Sequence, residues 1–267
     1  MCHGYSFALV LFFTGSIFAQ GGPPFRSDDP GTPGNRHWEI NIAGIGERNP
    51  VQGTYSLPNF DINYGLGDRI QLKYEMAAGL QETRGSSPQL VGGVGNSIAG
   101  FKYRFYERLD PGSKESNFAL AIYPQLVFST VKASVRRGIS DPTQLYLPIE
   151  YSLRVRGVLI SAETGYWFPR KQVPSAWVQA GVIGHKISDR SELFVEIYHE
   201  SQKQNQASST THDATIGIGG RQDMNKNGSV RLLVMLGHSL FSADPAGARP
   251  QWVGYLGVQL LAGQNGK

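Results

Sequence analysis

Three groups of residues in this 267-residue chain carry side chains able to do chemistry. The sharpest is His199-Glu200-Ser201, because a histidine and a serine two positions apart lie on one face of any extended segment. An imidazole so placed could take the serine proton for attack on an ester, provided a carboxylate fixes its tautomer. The second is Asp28-Asp29, which with backbone carbonyls could hold a hard cation, although a solvated turn explains the pair as well. The third is a set of charges spaced along otherwise apolar segments: Asp61, Lys73, Glu75, Lys102, Arg104, Glu150, Arg154, Glu163, Glu196 and Arg231. Gly92-Gly93-Val94-Gly95 precedes neither a helical pattern nor a Lys-Ser/Thr pair, so it reads as a loop rather than a phosphate cradle. His3, His37, His212 and His238 have no ligand spacing. No catalytic residue, metal site or cofactor is assigned from these patterns.

Composition narrows what could position such groups. Charged residues are 17% of the chain, against about 25% in an ordinary soluble domain. Glycine (33) and aromatics (Tyr 12, Phe 13, Trp 4) are abundant, and no long apolar run follows the N-terminus. This argues against an ordinary cytoplasmic α/β enzyme, a helical membrane protein, a coiled coil and a disordered chain. A net charge of +4, thinly scattered, gives no nucleic-acid surface. Phe7–Phe18 is nearly all apolar but too short to span a bilayer, so residues 1–19 read as a secretory signal that would carry the single cysteine, Cys2, away with it. Residues 20–36, rich in Pro and Gly, read as an extended segment, and 262–267 as a polar tail.

Between residues 37 and 261 the pattern is strands. About twelve segments alternate in polarity, bounded by Gly, Pro, Asp, Asn or Ser, and none keeps a 3.6-residue period for three turns. In Asn59–Tyr64, Phe60, Ile62 and Tyr64 share one face; in Arg69–Leu80, Ile70, Leu72, Tyr74 and Met76 do. Gly65-Leu66-Gly67-Asp68 joins them as a hairpin, and Asp189-Arg190 repeats its Asp-Arg turn before another strand. Asn117–Phe128 reads as one such strand.

Alternation alone fits a soluble barrel, a sandwich or a membrane barrel. Segment lengths of nine or more favour the membrane, where strands need about 9–11 residues. So does loop parity: Gly65–Asp68, Arg156-Gly157 and Ser188–Ser191 are short, whereas Glu47–Ser56, Gln81–Asn96, Ser129–Thr143, Ser201–Asp213 and Phe241–Pro250 are long; Pro169–Pro174 is a short exception in the long set, and Glu107–Ser116 and Gln222–Ser229 are somewhat long for the short set. Trp38, Tyr64, Tyr106, Phe168 and Trp252 fall near strand ends, as interface girdles require. The expectation is an all-β, transmembrane, antiparallel up-and-down barrel in the cell outer membrane. Its ten alternating charges would then line the lumen. Glu196 is expected to pair with Arg154, Arg231 or Arg104, and Arg136-Arg137, in a long loop, could meet lipopolysaccharide phosphates.

Pro24-Phe25-Arg26-Ser27-Asp28-Asp29-Pro30, His37-Trp38-Glu39, the stretch Leu57–Leu72 and Gly100-Phe101-Lys102-Tyr103-Arg104-Phe105 resemble outer-membrane proteins of the MetA-pathway-of-phenol-degradation type. The resemblance implies a barrel passing small hydrophobic or aromatic molecules, and brings no catalytic residues with it. The function expected is a non-enzymatic channel or transporter with two partners, outer-membrane lipid and a small-molecule solute. Two alternatives stay open. One is a closed structural barrel. The other is an outer-membrane lipid hydrolase using His199 and Ser201, against which stands Gln202 where such enzymes usually carry Asn.

Overall fold

The structure is a computed structural model that describes residues 22–84, 88–109, 116–137, 139–140, 142–155, 157–170, 174–203, 210–242 and 250–263. The segment read as a signal, 1–19, and residues 264–267 of the tail lie outside the described residues. The elements are β1 (His37–Arg48), β2 (Gln52–Leu66), β3 (Ile70–Thr83), β4 (Gln89–Leu109), β5 (Ser116–Ile122), β6 (Gln125–Ser129), α1 (Lys132–Arg136), β7 (Gln144–Val155), β8 (Val158–Trp167), β9 (Ala176–Ser188), β10 (Ser191–Lys203), β11 (Thr210–Asp223), β12 (Val230–Ser242) and β13 (Trp252–Gly263).

Each strand pairs antiparallel with its neighbours, and two pairings close the sheet on itself. β1 meets β13 from His37↔Gly263 to Arg48↔Trp252, and β3 meets β4 from Ile70↔Tyr103 to Thr83↔Gln89. β5 and β6 both lie between β4 and β7, one after the other. They form one stave of a twelve-stave barrel, broken at Tyr123-Pro124. The segment Asn117–Phe128 is therefore interrupted, because Pro124 has no N–H for the ladder. Tyr123 instead donates its N–H to Pro148 O and turns its ring into the barrel, where it is fully buried.

The period of two sets what faces where. Ile183, Leu236 and Leu256 point outward and are about 60% exposed on the isolated chain, an apolar belt that only lipid covers favourably. Aromatic pairs sit at the ends of this belt: Trp38 with Tyr64 (4.6 Å between centroids) at one end, Tyr166 with Trp177 (4.8 Å) at the other.

Two segments expected to be long loops are largely strand. Thr54, Tyr55 and Ser56 pair with both β1 and β3, so only residues 49–51 link β1 to β2. Asn49 Oδ1 accepts the N–H groups of Val51 (2.9 Å) and Gln52 (2.7 Å) and closes that turn. β4 likewise begins at Gln89 rather than near Ser97. In the opposite turn Gly67 adopts φ +71°, a conformation that glycine takes without penalty. Leu57-Pro58 forms a bulge left unpaired on both sides. β13 runs to Gly263, two residues into the segment read as a tail.

Candidate functional site

All ten charged candidates fall on the inward alternation of their strands, and five of them are bound to one another. Lys73 Nζ is 3.2 Å from Asp61 Oδ1 and 3.0 Å from Glu75 Oε2. Arg231 bonds Asp223 (3.0 Å) and Gln259 Oε1 (3.2 Å). Arg104 donates to Asp68 O (2.6 Å) and lies 3.4 Å from Glu107, at the barrel end that holds the short turns. Arg154, half-buried on β7, stands toward the same end.

Lys102, Glu150, Glu163 and Glu196 meet something the sequence did not place: residues 22–32 lie inside the barrel, and 33–36 lead out past the Gly67-Asp68 turn to β1. Lys102 Nζ reaches Asp28 Oδ1 (3.0 Å) and Glu150 Oε2 (3.2 Å), and also donates to Asp29 O. Glu163 Oε2 accepts the Asp28 N–H (3.1 Å), while its other oxygen accepts the Tyr146 hydroxyl. Glu196 accepts the Ser27 N–H (3.0 Å), the Ser27 hydroxyl (2.6 Å) and the Arg26 N–H (3.4 Å). Its expected arginine partner is thus replaced by backbone and hydroxyl donors. The physical reason is that an extended peptide carries N–H groups that must be satisfied wherever water is excluded, and a carboxylate accepts several at once. Arg221, not among the candidates, donates to Pro23 O (3.2 Å) and lies over the Phe194 ring. Phe25 packs edge-on against Phe194 at 5.6 Å.

The segment divides the lumen. On the loop side, a cavity of about 510 Å³ is lined by Glu47, Ser56, Asn59, Glu75, Gly79 and Ile139, among others. A second, of about 380 Å³, runs on beside the segment, sharing Ile45, Glu47, Asn59, Glu75 and Ile98 with the first. Toward the short-turn end the described cavities shrink to about 10 Å³ each. There, Gln71 bonds Asn63 (2.8 Å) and Tyr123 (3.3 Å), and Asn41 bonds Asp61 (3.2 Å) and Gln259 (3.1 Å), filling the cross-section.

One side of the lumen is apolar. Leu159, Val182, Phe194, Leu233, Met235 and Val253 form one buried cluster, with Tyr146, Val178, Ala180 and Tyr198 forming another. Trp167 stacks on Tyr146 at 4.4 Å. The alternation that turns Glu196 inward turns Phe194 and Tyr198 inward as well. Choosing lumen residues by polarity alone passed these over.

The remaining candidates are placed elsewhere. His199 and Ser201 face outward at the loop-side rim, but the Ser201 hydroxyl lies 3.0 Å from Nδ1 of His212, across the strand pair, rather than on His199. His199 stacks against His212 at 5.7 Å. The serine thus meets a different imidazole from the one its spacing suggested. Asp28 is engaged by Lys102, and Asp29 Oδ1 accepts the Gly31 N–H (2.8 Å). Among the described residues no group of three or more His, Cys, Asp or Glu is arranged to hold a metal. Arg136 is exposed at the end of α1, next to Arg137.

No family model matches the chain, and no curated protein is similar to it. Solved structures are similar. An outer membrane channel from Pseudomonas putida F1 superposes with a TM-score of 0.66 at 11% identity, over 89% of this chain and 98% of that one. The NanC porin gives 0.54 at 7% identity (84% and 99%), and the KdgM porin 0.51 at 11% (83% and 98%). The fold is that of outer-membrane β-barrels of the porin and channel kind.

Proposed function

We propose that this chain is an outer-membrane channel for small solutes, and that the segment 22–32 narrows its path. The observation that carries the reading is the pair of joined cavities, which descend from the loop side and stop against that segment. Their walls suit a solute with an apolar body and a polar handle. Met235, Val253, Tyr198 and Trp167 stand on one side, with Asp61, Lys73 and Glu75 on the other. A small aromatic or otherwise hydrophobic molecule has that character, in keeping with the resemblance carried by residues 24–30 and 57–72. The partners are then membrane lipid around the apolar belt and the solute inside, with no cofactor involved. Diffusion down a gradient would suffice as mechanism.

Planar-bilayer recording and solute flux into liposomes test this. The refolded mature chain should conduct weakly, and a chain beginning at Asn35 should conduct several-fold more. Absence of conductance and flux from both would refute the channel reading and leave a closed structural barrel.

A further inference from the structure

The segment does more than fill space, because it brings a cation with it. Arg26 is a half-buried side chain in a largely buried stretch, and it lines the 380 Å³ cavity. Its guanidinium carbon lies 4.1 Å from the centroid of the Tyr198 ring. Its Nη2 is 3.9 Å from Glu47 Oε1. Glu196 accepts its backbone N–H at 3.4 Å. An aromatic face beneath a cation, with a carboxylate beside it, is a cation-binding geometry. The stacked Tyr146 and Trp167 continue the aromatic wall of the same cavity.

A second, independent feature marks this cavity as made to receive something. Tyr255 is 7% exposed and lines it, yet among the described residues its hydroxyl has no hydrogen-bond partner. Leaving a buried hydroxyl unsatisfied is costly, so a native structure keeps one where a ligand or water completes it.

We propose that the luminal cavity binds small organic cations, of the guanidinium or alkylammonium class, in the seat that Arg26 occupies. Arg26 is the resident ligand: its guanidinium shields the Tyr198 face and the Glu47 carboxylate until a solute with the same chemistry displaces it. Tyr198 supplies the π face, Glu47 supplies the counter-charge, and Tyr255 offers its hydroxyl to a hydrogen-bonding substituent. The channel reading enters only as the route by which the solute arrives; the seat itself is a property of the folded barrel.

The test is equilibrium binding of methylguanidinium to the full mature chain refolded in detergent, with methanesulfonate as an anion of similar size. Arg26→Ala empties the seat and should bind methylguanidinium at least tenfold more tightly than the wild type. Arg26→Lys keeps a cation in place and should resemble the wild type. Adding Tyr198→Leu to Arg26→Ala should remove the gain, and methanesulfonate should show no gain in any variant. Equal binding by wild type and Arg26→Ala, a gain that survives Tyr198→Leu, or an equal gain for methanesulfonate would each overturn the proposal. Liposome flux measured on the same preparations separates the two conclusions. Binding without flux leaves the seat and removes the channel, whereas flux without binding does the reverse.

Discussion

Lys102→Met is the perturbation whose cost can best be worked out in advance. Methionine keeps most of the side-chain volume and removes only the charge. The lysine side chain is 1% exposed and that of Glu150 is 0% exposed, so neither is served by bulk water. Glu150 has no other hydrogen-bond partner for either carboxylate oxygen, and would be stranded as an unpaired buried acid. Asp28 would suffer less, since its side chain is 21% exposed and accepts the Asp29 N–H at 2.8 Å. Removing one partner of a buried ion pair costs about 3–5 kcal/mol. Glu150 carries most of that here, and the lost stacking of the ammonium on Tyr123, 4.6 Å away, adds to it. Replacing both members by apolar groups should recover much of the loss, because a buried pair is often worth no more than well-packed hydrocarbon. The assay is a double-mutant cycle of Lys102→Met and Glu150→Leu, with guanidinium unfolding of the detergent-refolded barrel followed by tryptophan fluorescence. A single Lys102→Met variant within about 1 kcal/mol of the wild type would refute the reasoning, as would a double variant less stable than the single one.

Other outcomes follow from the same geometry. Leu236→Arg, in the middle of β12 on the lipid face, should cost roughly 2–4 kcal/mol in refolding into bilayers, and a neutral effect there would mean that this face is not in hydrocarbon. Gly165→Ala would set a methyl group where the Tyr146 hydroxyl sits, so unfolding curves should show a loss of about 1–3 kcal/mol from overpacking; unchanged stability would show that Tyr146 moves freely. Phospholipid hydrolysis should stay at background for the wild type and for Ser201→Ala alike, and a wild-type activity lost in the variant would restore the hydrolase alternative.

What the sequence could show was limited by the range of the interactions. The alternation of Phe60, Ile62 and Tyr64 against Asp61 and Asn63 is local, and it sets inside and outside correctly for the strands. The seat of residues 22–32 depends on contacts such as Ser27 with Glu196, 169 positions apart, between a stretch without periodicity and a wall still unformed in one dimension. Asn63 illustrates the consequence. Its inward position was legible, and a watery lumen would have made it tolerant of a large charged substitution. In the barrel it is 3% exposed and bonded to Asp61 and Gln71, so the space beside it is taken. The break at Tyr123-Pro124 had its signal in the proline itself, but both halves keep their alternation, and the periodicity outweighed it.

The resident arginine is joined by a short stretch of backbone to β1, and that attachment fixes a threshold. Unlike a diffusing inhibitor, the arginine is never diluted, and each barrel carries one copy whatever the number of barrels in the membrane. Its neighbours Ser27, Asp28 and Thr32 are bonded to the barrel, so the backbone holds the guanidinium at its seat instead of letting it swing on a loose tether. A solute would gain the seat by pushing aside one side chain, not by expelling the segment, and only when it is abundant or binds the aromatic wall better than a guanidinium does.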